Sequence, residues 1–128
     1  MERAWRFVKV STSTTQQPRY RIQKCVSKQY LAWTDKDKTM QYDSKRYYVF
    51  DESEQVYQYN EWLIVPEKDG KHYQILDAVS GKKNLYVADK SLGKQDLVLV
   101  WTGVGNSDWS GSENLKRLWR FEKINQVN

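Results

Sequence analysis

Apolar residues along this chain fall in short runs, and the runs alternate with clusters of Gly, Asp, Asn, Ser and Lys that could not continue a helix. The clearest series starts at Trp62-Leu-Ile-Val, which Pro66 closes. Asp69-Gly70 is a tight-turn pair, and His72 to Asp77 reads as the next strand. Ala78 to Lys83 is a connection in which Gly81 can take positive φ, and Asn84 to Ala88 is a strand. Gly93 marks another turn, Leu97 to Trp101 is a nearly continuous apolar strand, Gly103 to Asn114 is a long polar loop, and Leu118 to Ile124 is the last strand. No segment sustains a 3.6-residue period, so little helix is expected.

The first half repeats these signals less cleanly. Ala4 to Val10 alternates apolar and basic residues, which places Trp5, Phe7 and Val10 inward. Ser11 to Pro18 has no periodicity and reads as a loop. Tyr20 to Cys25 and Tyr30 to Trp33 form a hairpin about the turn Ser27-Lys28-Gln29. Thr34 to Lys38 is turn-like, Met40 to Tyr42 fits no single element, and Tyr47 to Phe50 is a short aromatic strand. Asp51 to Gln55 is a loop, and Val56 to Asn60 leads into Trp62. Trp5, Trp62 and Trp119 are 57 residues apart (62 minus 5, 119 minus 62). Unequal insertions offset one another within that spacing, so the repeat lies in the order of signals: a Trp strand, a Tyr-x-Ile strand, a Leu-centred strand, an aromatic-ended strand, then the next Trp. These patterns predict an all-β single domain over residues 1–128, with units of about 5–61 and 62–124.

The runs S-G-K-K-N-L-Y-V-A-D, L-V-L-V-W-T-G and N-L-K-R-L-W-R-F resemble the repeat of ricin-B-type β-trefoil lectins. The resemblance extends over Tyr73 to Phe121 and, more loosely, over Tyr20 to Trp62. It implies a β-trefoil-like barrel of irregular Trp-centred repeats. A trefoil has three four-stranded units, whereas one Trp strand and two units, roughly nine strands, are legible here. Closure of the barrel is therefore expected from a degenerate third unit, from another chain, or from a different small-barrel fold. In the family a sugar pocket uses an Asp, a Gln, an aromatic platform and an Asn. Tyr86, Leu99, Trp101 and the pair Lys116 and Arg117 stand at those places in the second unit, and Ala32, Tyr48, Phe50, Tyr59 and Asn60 in the first. Only the aromatic is kept.

Composition narrows the function classes. Six Trp and nine Tyr suit strands and half-buried surfaces, and 128 residues suffice for one core. A single cysteine, Cys25, permits no internal disulfide, and the polar N-terminus does not resemble a signal segment, so a cytoplasmic location is expected. No run is apolar enough for membrane insertion. The net charge of +5 is interspersed with acids rather than clustered, which weighs against nucleic acid. Gly103-Val104-Gly105 lacks the context of a phosphate loop, and no cofactor motif is legible. His72, the only histidine, has no ligand-spaced partners, and nothing orients Cys25 toward it, so neither a metal site nor catalysis is expected. Cys25 itself is expected to be buried in its strand.

Sugar rings stack an apolar C–H face on aromatics while their hydroxyls need fixed donors and acceptors. Trp101 and the loop bearing Asp108, Trp109 and Asn114 fit that recipe, with Asp89 and Tyr86 beside them and a weaker equivalent near Phe50 and Asn60. The closing tryptophans Trp5, Trp62 and Trp119 read as core. The leading expectation is a non-enzymatic lectin for glycans or glycoproteins, needing two sites or a homo-oligomer to agglutinate. The other reading is a protein-binding module or protease inhibitor acting through the loops Ser11 to Pro18 and Gly103 to Asn114.

Overall fold

The computed structural model describes residues 4–10, 17–43, 46–52, 59–88, 97–101 and 117–122. They form nine strands: β1 (Trp5–Val10), β2 (Arg19–Lys24), β3 (Tyr30–Trp33), β4 (Arg46–Glu52), β5 (Trp62–Pro66), β6 (Tyr73–Asp77), β7 (Asn84–Ala88), β8 (Leu97–Trp101) and β9 (Leu118–Trp119). The only helical element among these residues is a 3-10 turn at Lys38–Met40, where the expectation for residues 40–42 was open. The Asp37 carboxylate caps it by accepting from the Thr39 amide at 3.0 Å. β4 begins one residue before and ends two residues after the Tyr47 to Phe50 run, because the charged Arg46 and Glu52 also take part in pairing. β9 is shorter than the expected strand, with residues 120–122 outside it.

Seven strands close a barrel in the order β2, β3, β4, β8, β7, β6, β5 and back to β2, while β1 adds to β2 and β9 to β6. All seven contacts are antiparallel. Strands running alternately up and down can close a ring only when their number is even, so this is not a simple up-and-down barrel. The conflict is absorbed at corners where contact shrinks to one residue pair: Gln23↔Tyr30, Tyr20↔Trp62 and Leu76↔Asn84.

Several contacts occur twice. β1 pairs along its length with β2, and β5 likewise with β6. Tyr20 pairs with Trp62, and Tyr73 with Trp119. The Trp62 indole N–H donates to the Leu31 carbonyl at 3.0 Å, and that of Trp119 to the Leu85 carbonyl at 2.9 Å. After β2, Lys28 adopts a φ of 65° and its amide donates to the Lys24 carbonyl at 3.1 Å; after β6, Gly81 adopts 69° and donates to Asp77 at 2.9 Å.

Inside the barrel Ile22, Trp33, Trp62, Ile75, Leu85 and Val100 are buried together, with Leu31, Tyr47, Val49, Tyr59 and Trp119 packed against them. Asp77 is also fully buried, and turn geometry explains it. One carboxylate oxygen accepts from the Ser80 hydroxyl at 2.7 Å and the Lys83 amide at 2.9 Å, and the other from the Ser80 amide at 2.8 Å. Buried acceptors matched in this way avoid most of the desolvation penalty. Two expectations need correction. Trp5 and Phe7 are 42% and 39% exposed rather than buried, because no strand covers the far edge of β1 among the described residues. Cys25 is half-buried in the turn after β2, not inside the strand.

The paired indole bonds predict that Trp62→Phe and Trp119→Phe each lose about 1–3 kcal/mol, since each leaves a leucine carbonyl without its donor. Urea unfolding reads both values, and a change in only one would show that the two contacts are not equivalent. In the β5–β6 turn, Asp69 accepts from His72 Nδ1 at 2.6 Å and from the Lys71 and His72 amides at 2.8 and 3.0 Å. The His72 bond first, then the two amides, holds the Asp69 carboxyl down to about 2. A depressed value means its contribution is present above the ordinary carboxylate range and is lost as pH falls through about 2. Asp69→Asn should therefore melt below the wild type at pH 7, and the two melting temperatures should converge toward pH 2; a constant gap would contradict this.

Candidate functional site

The outer face of β4, β8 and β7 carries a cluster of aromatic and charged groups. Alternation along β4 turns Tyr47 and Val49 toward the core, so Arg46, Tyr48 and Phe50 lie on the opposite face. Register then places Arg46 opposite Trp101, and Trp101 opposite Asn84, in one row. The neighbouring row pairs Tyr48 and Tyr86 with residue 99 of β8.

Arg46 is at the centre. Just before the strand, Asp43 accepts from its amide at 2.8 Å and from its Nε at 2.7 Å, and pairs with a second guanidinium nitrogen at 2.5 Å. Nη1 donates to the Tyr86 hydroxyl at 3.2 Å. The guanidinium carbon lies 4.7 Å from the centre of the Tyr42 ring and 5.6 Å from that of Trp101. Hydrogen bonding to Asp43 holds Arg46 well above its usual range, outweighing the opposite push of burial. Arg46 is thus a permanent cation lying over both the Tyr42 and the Trp101 ring. Tyr86 meets Trp101 at 5.6 Å with the rings tilted by 46°, and Tyr42 meets Tyr48 edge-on at 5.7 Å.

Of the residues expected from sequence, Trp101, Tyr86 and Phe50 come to this face. Trp101 is half-buried and lies beside the cation. Tyr86 shares this face by register but is only 2% exposed, so it acts through its contacts with Arg46 and Trp101 and offers no ring to solvent. Phe50 is half-buried farther along β4, opposite Ala32 of β3. Asn60 is only 3% exposed and lies apart, beside Tyr59, whose ring stacks on Trp33 at 4.7 Å. Asp89, Asp108, Trp109 and Asn114 lie outside the described residues, as do most of the two loops expected to contact a protein. Tyr42, Asp43 and Arg46 were not singled out from the sequence, and Tyr48 was named there only by its place in the family resemblance. Their signals were the alternation Arg46-x-Tyr48-x-Phe50 and the Asp43 to Arg46 spacing, but only the β4–β8 register gives these meaning.

Chemically the face offers four exposed or half-buried aromatic rings, Tyr42, Tyr48, Phe50 and Trp101, a fixed set of N–H donors and a carboxylate acceptor. Aromatic rings, donors and an acceptor in this arrangement can stack on and hydrogen-bond a polar ring with one apolar side. Among the described residues no group of three or more His, Cys, Asp or Glu is placed to hold a metal ion, and no helix is long and apolar enough to cross a membrane. Comparison with protein-family models, curated proteins and solved structures finds no match.

If Asp43 fixes the guanidinium, a double-mutant cycle of Asp43→Asn and Arg46→Met should give a coupling of about 1 kcal/mol, the upper end for partly exposed pairs. A coupling near zero would show that the orientation has another origin.

Proposed function

We propose that this chain is a non-catalytic carbohydrate-binding protein whose barrel is of the β-trefoil type. The observation that carries the sugar reading is the outer face, where Arg46 is held between Tyr42 and Trp101 with Asp43 on its nitrogens. A pyranose laid on either ring would place its hydroxyls within reach of both a fork of donors and an acceptor. The polar groups that the ricin-B-type lectins use are not at the matching positions, and in this reading Arg46 and Asp43 take their part. In sequence, Trp101 is followed by the segment bearing Asp108, Trp109 and Asn114, which on this reading supplies further polar and aromatic groups.

The trefoil reading rests on the contacts that occur twice. The Trp5 and Trp62 strands each pair with the strand after them, and the Trp62 and Trp119 indoles each bond to a leucine carbonyl. On this reading the units of about 5–61 and 62–124 are copies of one structural repeat.

The test is a glycan array followed by titration of the best ligand with tryptophan fluorescence. Tyr42→Ala and Arg46→Ala should each weaken binding at least about tenfold, equivalent to about 1.4 kcal/mol, while 0.5 M salt should change it little. Binding that collapses with salt would indicate polyanion recognition instead. An array without ligands would remove the sugar reading.

A further inference from the structure

We infer that the apolar cavity at one end of the barrel binds a free medium-chain fatty acid, with the carboxylate at Arg120 and the hydrocarbon chain running inward. The cavity measures about 400 Å³, which falls within the size range of small-ligand sites. It is separate from the outer face of β4, β8 and β7, because Val49, which lines it, lies on the inward side of β4.

The lining joins solvent to core. Ile22, Ile75 and Leu85 belong to the buried cluster, whereas Trp5, Phe7 and Phe121 are 42%, 39% and 39% exposed. A space bounded by both sets is entered from outside and ends among core side chains. Nine of its eleven lining side chains are apolar or aromatic, and the Trp119 indole N–H is already engaged by the Leu85 carbonyl at 2.9 Å. Water in such a space has few partners, so hydrocarbon displaces it favourably. A sugar or a peptide would instead bury hydroxyls or amides that the lining cannot satisfy.

Charge selects the head group. The cavity's two charged side chains are Asp51 and Arg120. Asp51 is paired with Lys24, whose ammonium also lies 5.5 Å from the centre of the Trp5 ring, so this couple offers a ligand no net charge. Arg120 is exposed and has no ion-pair partner among the described residues. What remains is one guanidinium, which attracts an anion and matches a planar carboxylate through two parallel N–H donors. A cationic amphiphile would be repelled there, and a neutral one would lose the ionic contact.

The probe is decanoate, titrated into the ¹⁵N-labelled chain below its micellar concentration. It should shift the amides of Ile22, Ile75 and Leu85 while near-ultraviolet circular dichroism is retained. Affinity should rise about tenfold from octanoate to decanoate and again to dodecanoate, the increment expected for two buried methylenes. Arg120→Gln should weaken decanoate about threefold and leave decanol unchanged, whereas Phe7→Asp at the mouth should weaken both. The inference is overturned if those amides do not shift, if affinity is independent of chain length, if decanol binds the wild type as tightly as decanoate, or if Arg120→Gln has no effect. Loss of the near-ultraviolet signal during the titration would assign the effect to detergent action, and preferential binding to phosphatidylglycerol vesicles would assign the face to a membrane surface; either would also overturn it.

Discussion

Trp62 is the residue through which the barrel closes. Its backbone pairs with Tyr20 of β2 on one side and Asp77 of β6 on the other, and its indole bonds to the Leu31 carbonyl of β3. Four strands thus meet at one fully buried side chain. A closed ring with an odd number of antiparallel strands needs sharp corners, and a corner exposes backbone groups that a regular ladder would satisfy. A tryptophan suits this position because it combines a large apolar area with one directional donor. Phenylalanine would fill much of the space but leave the carbonyl open, and a smaller polar residue would do the reverse.

Much of the fold was legible because the determining signals are local. Gly70 and Gly81 both take positive φ where the turn chemistry placed them, and the strands of the second half fall within a residue or two of their apolar runs until β9. The order of signals, rather than the equal spacing, aligned the three tryptophans, and two of the three donate to a leucine carbonyl. Trp5 shows the limit of the pattern. Its alternation with Phe7 marks an apolar face, as read, but burial depends on what lies opposite, and among the described residues that side of β1 is open. Asp77 is the converse: a charged residue at a strand end reads as solvated, yet three hydrogen bonds from the following turn hold it inside.

The candidate site was less legible. Trp101 could be singled out by type and position, but the group that organises its surroundings lies more than fifty residues earlier and meets it only through the pairing of β4 with β8. Nothing in the run Tyr42-Asp43-Ser44-Lys45-Arg46 announces that its arginine will face an indole across a sheet. The charge interspersion that weighed against a polyanion partner also concealed it, since one basic residue among twenty-one is not conspicuous.

The two hairpin turns that follow β2 and β6 adopt the same left-handed geometry with different residues, Lys28 in one and Gly81 in the other. Their thermodynamic burdens consequently sit in different states. Lys28 carries steric strain in the folded chain, a cost that vanishes on unfolding. Gly81 is unstrained when folded but gives the unfolded chain extra freedom that folding must remove. One turn weakens the barrel by raising the energy of its native state, the other by raising the entropy of its alternatives. Heat should therefore weigh on the second hairpin more than on the first, so that two connections sharing one left-handed position and one backbone bond respond differently to temperature.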